Sequence, residues 1–156
     1  MDSTFKQVVE SLHGSYERLT GAEPIEAGHA WSKEETAGVY LFSENGVPLY
    51  VGRTNKLKRR YGLHTRSSAR HNQASFAFRL AREATGYTDV VYRRGECSRA
   101  WLADHPPFIE AFDEAKQRVA AMEYRYVIEP NPIRQCVLEV YCAVALSTLY
   151  NDFDNH

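Results

Sequence analysis

Residues 38–64 read GVYLFSENGVPLYVGRTNKLKRRYGLH, and few folds accommodate that order. Residues 38–42 and 49–52 are apolar, β-prone runs, each holding a tyrosine, with Glu44-Asn45-Gly46 between them as turn chemistry. A two-residue turn at Asn45-Gly46 would set Tyr40 opposite Val51 and leave Tyr40 and Tyr50 on opposite faces. A three-residue turn with Gly46 left-handed sets Tyr40 directly across from Tyr50, and this is the turn expected. Pro48 cannot donate to a central ladder, so the second strand is predicted at a sheet edge and the Tyr40 strand in the middle.

The remaining chain alternates helix and strand signals without repeats or low-complexity tracts. Val8, Val9, Leu12, Tyr16 and Leu19 recur at helical spacing, which predicts an N-terminal helix over 5–19. Further helices are predicted over 55–63, 73–84 (closed by Gly86), 107–120 and 132–146, the last two with proline in the first turn. A short strand is expected at 88–93. Residues 122–128 alternate Met122, Tyr124, Tyr126, Ile128 against Glu123, Arg125, Val127, the pattern of a half-buried third strand.

With 156 residues, 44% hydrophobic and 25% charged, the chain suits one globular domain with a real core. No apolar run approaches the ~20 residues of a membrane span. The first 19 residues lack a signal peptide's apolar centre, so no membrane and a cytoplasmic location are expected. Cys97, Cys136 and Cys142 show no metal-ligand or disulfide spacing.

Net charge is only −1, but it is unevenly spread. Residues 53–82 hold nine bases (Arg53, Lys56, Lys58, Arg59, Arg60, Arg66, Arg70, Arg79, Arg82) and no acid. Residues 1–36 hold seven acids against three bases. Such segregation marks a candidate phosphate-binding surface, since a merely solvated face usually mixes signs.

Cutting a phosphodiester needs a base for water, charge at the phosphorus centre and neutralisation of the leaving oxygen. Arg60 and His64 stand four apart and share a helix face with Leu57 and Tyr61, while Lys58 and Arg59 point away. Either that face directs both groups at the sheet, or Leu57 and Tyr61 pack and the other two fringe the contact. From 136 to 150 the chain reads CVLEVYCAVALSTLY, whose only charge is Glu139. A helix apolar nearly all round should be buried, and its carboxylate then needs a bound cation or a basic neighbour such as Arg125 or Arg134. His71, Asn72 and Gln73 either contact nucleic acid or face water. Trp31 and Trp101 either stack on bases or pack over the core.

GVY at 38–40 and YVG at 50–52 resemble the two halves of the motif that names the GIY-YIG nuclease family. Arg60, ten residues beyond Tyr50, matches the family's catalytic arginine, and His64 falls where relatives carry His or Tyr. Glu139 matches its metal-binding glutamate, and Asn151 in LYNDF its asparagine. The resemblance implies a small α/β domain of the α+β kind, with a three-stranded antiparallel sheet flanked by helices. It would occupy 37–156, with residues 1–36 as a helix-and-loop extension and an insertion at about 65–107 as the source of selectivity. It implies a DNA endonuclease using one Mg2+ (or Mn2+) on Glu139 and leaving a 5′-phosphate and a 3′-hydroxyl. Tyr40, Tyr50, Arg60, His64 and Glu139 would be catalytic, with Gly52 and Asn151 in support. Tyr40 is the favoured general base and Tyr50 its rival, the phenol being eased toward ionisation by Arg53 and Arg60. Arg53 stands where the family usually has lysine or another polar residue, and its permanent charge removes it as a base. Arg53, Lys56, Lys58, Arg59, Arg66, Arg70 and His71 would line the DNA, with specificity coming from the insertion, a second copy or a partner protein. The alternative reading is a catalytically inactive nucleic-acid-binding module on the same scaffold; a third is an interaction domain of a larger assembly.

Overall fold

The computed structural model describes residues 1–89 and 93–153. The strand expected at 88–93 centres on residues 90–92, which lie outside the described ones. The chain forms two compact units, one of Met1–Arg60 with Met122–Asn151, the other of Tyr61–Ala121 with the residues from Asp152.

The first unit is an α+β layer. β1 (Gly38–Glu44) pairs antiparallel with β2 (Val47–Thr54) on one side and β3 (Glu123–Ile128) on the other, giving the order β2-β1-β3. The Tyr40 strand is therefore central and the Pro48 strand an edge, as the proline required. The turn corrects the expectation. Asn45 (φ 52°) and Gly46 (φ 77°) are both left-handed, so the hairpin closes on two residues, whose twist suits paired strands. That turn alone would separate the phenols. A bulge between Phe42 and Ser43 restores the parity: Ser43 pairs with Pro48, but Phe42 pairs with Tyr50 and Tyr40 with Gly52. Tyr40 and Tyr50 thus share a face as diagonal neighbours and are not directly opposed. The step falls beside Pro48, which has no N–H to give.

The other face of the sheet is aliphatic. Val39, Leu41, Val51 and Val127 pack on Leu12, Leu19, Leu138 and Cys142. Leu12 follows α1 (Ser3–Ser11), which Asp2 caps through the Phe5 N–H (2.9 Å), and Leu19 lies on α2 (His13–Gly21). The single helix expected over 5–19 is broken at Leu12. There Ser11 returns its hydroxyl to the Val8 carbonyl (2.7 Å), a local competitor to the helical ladder. Leu138 and Cys142 come from α7 (Pro132–Ala145), capped by Asn131. The expectation that α7 is buried all round fails, because a helix on one sheet face offers it only one side. Ile133, Val140 and Val144 are 69%, 41% and 70% exposed.

α3 (Leu57–Thr65) starts in the first unit and ends in the second. The second unit also holds α4 (Ser75–Thr85), α5 (Arg99–Asp104) and α6 (Pro106–Ala121). α4 closes at left-handed Gly86 and buries Phe76, Phe78 and Leu80; Phe78 meets Phe108 of α6 at 4.9 Å. α5 was not foreseen. Its cap was readable, Ser98 accepting from the Trp101 N–H (3.2 Å), but six residues hold too little periodicity to announce a helix. Among the described residues no helix is long and apolar enough to cross a membrane.

Candidate active site

The aromatic face of the sheet holds the first unit's polar centre. Tyr40 is 1% exposed and stacks on Tyr124 (5.6 Å, 23°); its ring lies 6.3 Å from that of Tyr50. Gly52 makes room for this. A Cβ there would overlap the Tyr40 hydroxyl and ring, so the glycine of YVG is a matter of space. Gly38 is equally constrained, since a Cβ would strike the Val127 carbonyl.

Arg60, on the first turns of α3, joins the two phenols. Its Nε donates to the Tyr40 hydroxyl (3.3 Å), and a further side-chain hydrogen bond goes to Tyr50. Burial works against the guanidinium charge, but the two phenols outweigh it and raise the Arg60 pKa. Burial, and then Tyr50, drive the Tyr40 phenol well above its ordinary value despite Arg60. Tyr40 therefore holds its proton at neutral pH, which weakens it as a base. Tyr50 is the more exposed of the two.

Glu139 has neither of the partners proposed from sequence. Arg125 pairs with Glu123 (2.9 Å) and Arg134 with Glu129 (2.9 Å). Glu139 Oε2 instead accepts from Arg53 Nε (3.0 Å), with the carboxylate side chain 21% and Arg53 44% exposed. Burial raises the Glu139 pKa, and Arg53 only partly opposes it. The carboxylate thus remains under-compensated, and its Oε1 has no hydrogen-bond partner among the described residues. One such oxygen suits Mg2+ or Mn2+, a hard cation that takes one or two carboxylates and keeps waters and phosphate oxygens as its other ligands. Among the described residues no cluster of three His, Cys, Asp or Glu side chains offers an all-protein cage.

Asn151 clamps the backbone between Tyr50 and Gly52. Its Oδ1 accepts from the Val51 N–H and its Nδ2 donates to the Val51 carbonyl, both at 2.8 Å. Thr148 Oγ1 fixes the amide by donating to Oδ1 (2.8 Å), and Tyr150 N–H donates to the Leu49 carbonyl (3.1 Å). The segment thereby covers the open edge of β2. Lys56, Lys58 and Arg59 are exposed beside Arg60 and make no ion pair among the described residues.

Of the residues picked from sequence, Tyr40, Tyr50, Gly52, Arg53, Arg60, Glu139 and Asn151 gather in the first unit. His64, one turn past Arg60 on α3, belongs to the second unit and is fully buried. Arg66, Arg70 and His71 also belong there, Arg66 and Arg70 exposed. Asn72 faces solvent, while Gln73 accepts from the Arg70 N–H (3.0 Å). Trp31 stacks on Tyr126 (5.4 Å, 19°) and Trp101 on His105 (4.3 Å, 20°). Tyr124 and Tyr126, read from sequence only as a strand pattern, extend the aromatic face beyond Tyr40; their spacing from Tyr40 in the chain gave no hint of it.

Comparison with family profiles, characterised proteins and solved structures returns no match to this chain.

Proposed function

We propose that the protein is a metal-dependent DNA endonuclease of the GIY-YIG type, hydrolysing phosphodiester bonds. The observation that carries this reading is Arg60 held between two phenols on one sheet face, a placement with no structural necessity. The aliphatic face already supplies the core. A guanidinium in that position can bind the phosphate and steady charge developing on its oxygens.

Tyr50 rather than Tyr40, acting as the phenolate after its own proton has passed to solvent, takes the proton from the attacking water, because Tyr40 is sealed and held protonated while Tyr50 reaches the surface. Hydroxide oxygen then bonds to phosphorus as the bond to the leaving oxygen breaks, and solvent returns a proton to that oxygen. Tyr40 positions Arg60 through its hydroxyl. Glu139 would hold the divalent cation, which when bound supplies positive charge at the leaving oxygen. Lys56, Lys58 and Arg59 would carry the flanking backbone, so binding should weaken steeply with added salt.

The test is incubation of supercoiled, linear and branched DNA with Mg2+ and the wild-type, Arg60→Ala and Glu139→Ala proteins. We expect cleavage by the wild type and a loss of about 10²–10³ in the arginine variant. Cleavage surviving in both variants would place the chemistry elsewhere. The Arg53–Glu139 ion pair favours a second reading, a binding module that does not cut, because it already occupies one carboxylate oxygen. Salt-sensitive DNA binding without cleavage on any substrate would select that reading.

A further inference from the structure

The second unit contains a cavity of about 200 Å³ lined by Arg70, His71, Ala103, Phe108, Ile109 and Phe112. Its wall is almost wholly apolar, with Arg70 and His71 the polar residues of its lining. Arg70 is exposed at the rim, and Arg99 lies 4.0 Å from the centre of the Phe78 ring, which itself contacts Phe108 and Phe112. Arg82 approaches the same ring at 5.6 Å. Burial, and then Arg99, lower the His71 pKa, while Asp104 acts in the opposite direction.

The mouth is also held in place. Lys116, only 6% exposed, donates to the carbonyls of Ser67 (2.6 Å) and Ala69 (3.3 Å), and pairs with Asp113 at 2.9 Å. Arg99 donates to the His71 carbonyl from the other side. Two cations from α5 and α6 therefore pin the loop that carries Arg70 and His71.

We infer that this cavity binds a single unstacked nucleotide, the base among Phe108, Ile109 and Phe112 and the phosphate on Arg70. The size fits, since an apolar cavity of about 150 Å³ takes a benzene ring. Few polar atoms line the wall, so the base is held by its faces rather than its edges, and the site tolerates any sequence. The site stands on the second unit alone and does not require the cleavage reading.

The chain has four isoleucines, Ile25, Ile109, Ile128 and Ile133, and only Ile109 lines the cavity. Methyl NMR of the intact wild-type protein without divalent metal therefore gives one reporter and three controls. Titration with dAMP is expected to shift the Ile109 methyl saturably and leave the others unmoved. Deoxyadenosine and inorganic phosphate should each bind at least about tenfold more weakly. Arg70→Ala should bring dAMP down to the nucleoside's affinity, and Ala103→Leu, which fills the cavity, should abolish the Ile109 shift. A short single-stranded oligonucleotide binding at least as tightly as dAMP would assign the site to a base within a strand; preference for dAMP would assign it to the free nucleotide. An unmoved Ile109 methyl, equal affinity for nucleoside and nucleotide, or undiminished binding by folded Ala103→Leu protein would overturn the inference.

Discussion

Leu41 and Tyr40 are consecutive residues of one strand, 3% and 1% exposed, yet they face different kinds of surroundings. Leu41 looks into aliphatic side chains from β2, β3, α2 and α7 and leaves no polar atom to satisfy. Tyr40 looks onto Phe42, Tyr50, Tyr124 and the Arg60 guanidinium. The first arrangement is what burial alone favours. The second brings a permanent charge against two phenols, which costs desolvation and is compensated by hydrogen bonds rather than by apolar area. Burial by itself therefore does not separate core from candidate site on this sheet; the polar atoms do.

The comparison breaks most visibly on the aliphatic side. Leu41→Ala should cost about 2–5 kcal/mol of stability in urea denaturation while leaving cleavage per folded molecule intact. A variant that stays stable but stops cutting would mean that the two faces are not independent. Asn151→Ala should show where they meet, because Val51 points to the aliphatic face and its neighbours Tyr50 and Gly52 to the other. Loss of two side-chain hydrogen bonds to Val51 predicts about 2 kcal/mol less stability together with reduced turnover. Full activity in a destabilised protein would confine Asn151 to edge protection.

The smallest effect concerns pH. The folded Glu139 pKa is raised, so its protonation favours the fold: its stabilising contribution is full below the unfolded value of ~4.3 and is lost as pH rises through the folded value. For the same reason, Mg2+ should lose affinity on acidification at a higher pH than an ordinary carboxylate would dictate. A titration of Mg2+ dependence that breaks near ~4.3 would remove the burial effect from the account.

Strand order was legible because it rests on local facts, the β-prone runs, the turn and the proline on the edge. The shared face of Tyr40 and Tyr50 was reached through the wrong turn. Parity depends on turn and bulge together, and propensity does not signal a bulge. Glu139 was singled out as the lone charge of residues 136–150, but its partner was sought among nearby arginines. Arg53 lies 86 residues away and reaches it only through packing of α7 beside β2, which no spacing encodes. Arg82 was counted in the basic stretch, but its approach to Phe78 beside Arg99 was not legible for the same reason, and Arg99 lies outside that stretch.

The most direct measurement compares Tyr50→Phe with Tyr40→Phe in single-turnover cleavage of supercoiled DNA under Mg2+, with thermal unfolding alongside. The account predicts wild-type cutting, a loss of about 10²-fold or more for Tyr50→Phe at an unchanged unfolding midpoint, and a smaller loss for Tyr40→Phe through a loosened Arg60. Wild-type turnover in folded Tyr50→Phe, or no cutting by the wild-type protein, would contradict it.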